Sequence, residues 1–260
     1  TLKIIKKNSK NIICIAEKKN NLLFSLSKKH NLFFVEHNQN VGGRYSIFSE
    51  VGILPAYLMG INIKNIRLKI LELLNKKNKK FLKDSCIKLA LIINSKKFNN
   101  LIFLNYAPSL EKFLYWCQQL IAESLGKKGK GFLPVISNVP KDHHSLLQLY
   151  LDGPSDKLFH IFSVNKKSKE IVKLNSKSFL NNKNLSSIKI AQQNALIKSL
   201  EKKKISFRQF KINKPDEEAL GQLFSYFILE TVIIAKLLNL NPFDQPAVEQ
   251  VKIYTKNYLN

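Results

Sequence analysis

Two polar side chains within Ser109 to Gly131 sit at a spacing that suits proton transfer. Gln119 and Glu123 fall one helical turn apart, beside Trp116, on a stretch whose Leu110, Phe113, Leu114, Cys117, Leu120 and Ile121 recur every third or fourth position. The pattern predicts a buried amphipathic helix, with Ser109 as its cap and Gly126 as its stop. Glu123 falls in the last turn, where the helix dipole disfavours negative charge, while Lys127, Lys128 and Lys130 follow and favour it. A carboxylate under opposed influences is a candidate base; a solvated helix-end charge has the same signature.

Three other polar knots share this double reading. In HNQNVGGRYSIFSEVG, Gly42 and Gly43 allow close backbone approach or positive φ, Arg44 supplies a permanent cation, and Ser46 or Ser49 can start the helix that follows. That arrangement suits an oxyanion, or it is a loop with a surface arginine. In KDHHSLLQLYL, His143 and His144 open an apolar helical pattern with Gln148 a turn later, so an imidazole is either presented to a ligand or merely structural. Adjacent histidines point apart and no third ligand follows at useful spacing, so no metal site is expected. In NPFDQPAVEQVKIYTKNYL, Gln245 and Lys252 are two turns apart and could face one cavity, or lie on a surface helix.

The elements that must position these groups alternate. Apolar runs at 11–16, 32–35, 100–105, 132–136, 157–164 and 205–212 read as strands, with Pro134 arguing for an edge. Helical patterns cover 18–29, 49–92 with breaks near Pro55 and at the lysine-rich 75–80, then 188–200, Pro215 to Asn239, and the C-terminus. Leu2 to Lys7 reads as the tail of an earlier crossover helix. Strand-helix-strand alternation predicts parallel sheets, whose ligands sit at the carboxyl ends of the strands.

Composition narrows the class. The 260 residues are 45% hydrophobic, with 43 Lys and Arg against 18 acids, a formal net charge of +25 that favours anionic ligands. Lysine dominates over arginine and no zinc-finger or RNP pattern occurs, which argues against nucleic acid. Cys14, Cys86 and Cys117 form no CxxC, as expected of a reducing cytosol. The apolar stretch Ala219 to Leu229 is too short to span a bilayer, so no membrane partner is expected. The chain opens with Thr1 and its sole methionine is Met59, from which we expect a start inside a longer protein.

Singly, none of the four knots outweighs its structural explanation; their order is far more specific. VGGRYS (41–46), QQLIAESLGK (118–127), HHSLLQL (143–149) and FDQPAVEQVK (243–252) together resemble the glucose-6-phosphate isomerase family, from about residue 30 onward. The resemblance implies that Glu123 is the base moving a proton between C2 and C1 of the open-chain sugar. It also implies that Arg44 stands beside the developing enediolate, that His144 rather than His143 opens the ring with Lys252, and that Gln119, Gln245 and Gly43 contact substrate. No cofactor or metal is implied. Pro246 and Leu125 depart from the family's common residues, and its Ser/Thr-rich phosphate loop would lie upstream of Leu2.

The implied fold is α/β, with parallel-sheet sugar-isomerase (SIS-like) three-layer domains: 1–75 as the N-terminally incomplete remainder of a first, 76–240 as a second, and 241–260 as an active-site loop and helix. The implied function is cytoplasmic aldose-ketose isomerisation of a phosphorylated hexose, glucose 6-phosphate to fructose 6-phosphate, by a homodimer with shared sites. A sugar-phosphate-binding module without catalysis is the alternative, and a basic nucleic-acid-binding protein a weaker one.

Overall fold

A computed structural model describes residues 9–165, 168, 170–174 and 177–260. The helix tail expected at Leu2 to Lys7 lies outside these, as does part of the lysine-rich stretch before residue 185. The chain forms two compact units, residues 1–67 and 68–260.

In the first unit, β1 (Ile13–Ala16) and β2 (Phe33–Glu36) pair in parallel, Ile13 opposite Phe33 and Ala16 opposite Glu36. They are joined by α1 (Leu22–Lys29), which begins later than the apolar pattern suggests because the Asn21 side chain caps it, accepting from the Phe24 N–H at 2.9 Å. Cys14, Leu32 and Ile66 are buried. A 3-10 helix at Gly43–Phe48 leads into α2 (Glu50–Leu58), and α3 (Ile63–Leu68) follows. The break expected near Pro55 falls just past it, at residues 59–62 between α2 and α3, and α2 runs through the proline to Leu58.

The second unit is a four-stranded, wholly parallel sheet in the order β4-β3-β5-β6, built from β3 (Asn100–Asn105), β4 (Leu133–Asn138), β5 (Lys157–Val164) and β6 (Phe207–Ile212). Strands β3 and β5 have the expected bounds, and β4, with Pro134, is an edge. Within residues 75–80 the helical pattern is interrupted at Asn75 alone, which is extended between a 3-10 helix at Ile70–Leu74 and the helix that follows. Asn75 caps α4 (Lys76–Ser95), accepting from the Asn78 N–H at 2.9 Å, and the lysines form its exposed first turns while Leu82, Cys86, Leu89, Ala90 and Ile93 turn inward. The compact units accordingly divide before α4, between Arg67 and Leu68.

Helices cover both sheet faces. On one, Ile102, Leu104, Phe159 and Ile161 pack with Tyr150 of α6 (His143–Asp152) and with Leu196 and Leu200 of α7 (Leu185–Lys202). On the other, Phe162 and Phe210 stack at 4.6 Å and meet Phe113 of α5 (Glu111–Leu125) and Phe227 of α8 (Glu217–Leu237). Helix α8 is long and apolar enough to cross a membrane by length and composition, yet it lies against α4 and α5 and buries Glu230. The last helix, α9 (Pro246–Leu259), buries no residue.

Candidate active site

The strand order reverses between β3 and β5, which places a ligand crevice at their carboxyl ends. A polar lattice fixes that end of the sheet. Asn105 donates to Asn138 Oδ1 at 3.0 Å and accepts from the Ala107 N–H, Asn138 donates to Glu111 Oε1, and the Asp142 carboxylate accepts from the Asn138 N–H at 2.7 Å. Two strand ends are thereby tied to the starts of α5 and α6. The only sequence signal for this lattice is an asparagine closing each of two apolar strands.

Helix α5 buries the expected stripe, Phe113, Leu114, Cys117, Leu120 and Ile121, and ends at Gly126. Ser109 does not cap it. That residue lies within a 3-10 turn, Pro108–Leu110, and the cap position falls to Leu110, because the turn already satisfies the entering backbone. On the outer face Gln119 donates from Nε2 to Glu123 Oε1 at 3.1 Å. Glu123 is half-buried. Trp116 packs edge-on against Phe224, centroids 4.8 Å apart.

The loop after Glu123 is bound to the segment before Gln245. Lys127 reaches the Asp244 carboxylate at 2.7 Å and the Asn241 carbonyl, and Lys130 donates to the Leu238 carbonyl at 3.0 Å. Lys127 holds the Asp244 carboxyl below its usual range. Of the three lysines expected to balance Glu123, Lys127 thus joins the QQLIAESLGK and FDQPAVEQVK motifs, and Lys130 ties the same loop to the end of α8. Gln245 is the half-buried first-turn cap residue of α9. Lys252 lies further along the helix, its side chain 64% exposed and paired with Glu249 at 2.7 Å. The groove beside Lys252 is lined by Val251, Thr255, Lys256, Leu259 and Asn260, and Gln245 is not among its walls.

The two histidines divide. His143 Nε2 lies 3.0 Å from the Tyr106 hydroxyl, and burial lowers its pKa against the pull of Asp142. His144 is exposed at the start of α6. Gln148 donates to Asp152.

In the first unit, Arg44 is buried and its guanidinium lies over the Tyr45 ring, 5.4 Å from the centroid. Neither Gly42 nor Gly43 adopts positive φ, and a Cβ on either would meet nothing within 4 Å, so of the two alternatives the positive φ is absent and open space adjoins the pair. The glycine under steric demand is Gly52, whose Cβ would fall 2.2 Å from the Ile47 carbonyl oxygen. Ser46 donates to the Gly43 carbonyl and Ser49 to the Ser46 carbonyl. Ser49 holds the cap position of α2 by its backbone, not its hydroxyl. His37 and Glu50, which no motif singled out, bracket this segment: Nδ1 meets the Glu50 carboxylate and Nε2 lies 2.9 Å from the Val41 carbonyl. Among the described residues, no cluster of three His, Cys, Asp or Glu side chains could hold a metal ion.

The architecture belongs to the parallel-sheet α/β class. A crystal structure of a glucose-6-phosphate isomerase from Chlamydia trachomatis superposes with a TM-score of 0.76 at 15% identity, covering 99% of this chain and 55% of that one. A hypothetical protein from Thermus thermophilus superposes with a TM-score of 0.85 at 26% identity, covering 99% of this chain and 66% of that one. Within that class, the chain resembles the glucose-6-phosphate isomerase family. It is 33% identical to a probable glucose-6-phosphate isomerase of Methanococcus maripaludis, over 88% of this chain and 54% of that protein. It is 34% identical to the glucose-6-phosphate isomerase of Campylobacter jejuni, over 85% and 57%. The chain thus spans a little over half the length of these curated relatives. No family model matches.

Proposed function

We propose that this chain carries the chemistry of a glucose-6-phosphate isomerase, interconverting glucose 6-phosphate and fructose 6-phosphate through an enediol. The observation that carries the reading is the Gln119–Glu123 pair closing α5 in a chain 33% identical to a probable isomerase of that name. In the open-chain aldose, Glu123 takes the C2 proton while the carbonyl oxygen at C1 gains the electron pair. The O2 hydroxyl proton passes to the C1 oxygen in the enediol, and the same carboxyl returns a proton to C1 as the carbonyl forms at C2. Atoms and charge balance with no external reductant. Arg44 stabilises the enediolate oxygen as a fixed cation. His144 and Lys252 exchange protons with the ring oxygen and the anomeric hydroxyl, and Gln119, Gln245 and the open backbone at Gly43 contact the sugar.

Residues 1–75 are read as part of a first sugar-isomerase domain, 76–240 as a second, and 241–260 as the segment that carries Gln245 and Lys252 to the substrate. A cytoplasmic homodimer with shared sites is part of the same reading. Terminal-helix residues Val251, Ile253, Tyr254 and Leu259, each more than half exposed, supply an apolar surface for the second copy. Proton NMR of the chain with either sugar phosphate tests the reaction. Approach to one mixture from both sides supports the reading, and two unchanged spectra oppose it.

A further inference from the structure

We propose that His37 is a positioning residue for Arg44, closing the arginine-bearing segment at both ends through a single imidazole ring. The role given to Arg44 rests on the isomerase reading; the clamp itself rests on geometry within the first unit. Residues 42–49 lie between two anchors on one ring, the Val41 carbonyl at Nε2 and the Glu50 carboxylate at Nδ1. Glu50 stands in the first turn of α2, where the helix dipole favours a carboxylate. Between the anchors the chain is stitched by Ser46 to the Gly43 carbonyl, by the Tyr45 N–H to the Gly42 carbonyl, and by Ser49 to the Ser46 carbonyl. Arg44 is buried within that stitched turn.

Both partners of the ring are acceptors. A neutral imidazole has one N–H and one lone pair, so either tautomer sets a lone pair against an oxygen; only the imidazolium donates to both. The surroundings agree. The hydrogen bond to Glu50 raises the His37 pKa above 6.5, opposed by burial and helped by the Val41 carbonyl and by Glu17. The Glu50 carboxyl is lowered by its own backbone N–H first and by His37 second. The other charged groups around the ring, at the carboxyl ends of β1 and β2, are Glu36, Lys18 and Lys19. The clamp is therefore closed above the Glu50 titration and below that of His37, and opens as pH rises through the latter.

The test is an NMR pH titration of the 260-residue chain, following both His37 ring nitrogens and the Arg44 Nε–H. Both nitrogens are expected to carry protons at pH 6.5, and the Arg44 signal to move with the His37 midpoint above that value. Glu50→Gln should lower that midpoint. His37→Gln, which keeps a donor for Val41, should leave the chain folded and abolish the Arg44 transition. An Arg44 signal that ignores the His37 titration, or a midpoint unmoved by Glu50→Gln, overturns the clamp. Absence of turnover in the complete parent protein, with Arg44 still following His37 in this chain, refutes the isomerase reading and leaves the clamp standing.

Discussion

Gln119 and Glu123 share one hydrogen bond, Nε2 to Oε1 at 3.1 Å, across one turn at the end of α5. The amide holds one carboxylate oxygen. Replacing Gln119 by Ala removes that hydrogen bond from the carboxylate without exposing core. A hydrogen bond to a charged group is worth about 1.5–3 kcal/mol, so kcat/KM should fall roughly 10- to 100-fold with the unfolding midpoint unchanged. Steady-state kinetics alongside urea unfolding separates the two effects.

Arg208 lies 3.0 Å from Glu230, which also accepts from the Tyr226 hydroxyl at 2.8 Å and from Ser85 at 3.0 Å. The Glu230 side chain is 4% exposed, so Arg208→Leu would strand a buried carboxylate. The expected loss is about 3–5 kcal/mol by urea unfolding, and the double variant Arg208→Leu with Glu230→Leu should recover much of it.

His160 is 1% exposed, and neither ring nitrogen has a partner among the described residues. Desolvation, and then Arg208, push its pKa well below 6.5. The unfolded chain therefore binds a proton near pH 6.5 that the folded chain does not, so this contribution is complete above that pH and shrinks as pH falls. His160→Phe should flatten the decline in stability between pH 7.5 and 5 without abolishing it, because burial also lowers the His143 pKa. Unfolding midpoints at the two pH values check this.

Gly52 lies inside α2, where alanine ordinarily stabilises by about 0.5–1 kcal/mol. Here a Cβ would stand 2.2 Å from the Ile47 carbonyl oxygen, so the sign reverses. Gly52→Ala should cost about 1–3 kcal/mol through overpacking. The measurement is hydrogen exchange at the β1 and β2 amides, with faster exchange in the variant.

Much of this was legible from residue order because it depends on local pattern. Continuous apolar runs marked β3 and β5, Pro134 marked an edge strand, and the spacing of Phe113 to Ile121 marked the buried face of α5. The misreadings came where a local signal had a competitor. Ser109 was displaced as a cap by the 3-10 turn around it, the break near Pro55 fell past the proline at residues 59–62, and the lysines of 76–80 joined the helix that Asn75 caps. Gly52 went unmarked, since steric demand depends on what packs nearby. The pairing of His37 with Glu50 was invisible because thirteen residues and a folded turn separate them.

The central claim is that Glu123 moves the proton. The most direct measurement is hydrogen exchange at C1 of fructose 6-phosphate in D2O, with the native chain and with Glu123→Gln at matched folding by circular dichroism. Exchange well above buffer for the native chain, falling to the buffer rate in the variant, is the predicted result. Equal rates for the two chains, including equal rates at background, would contradict it.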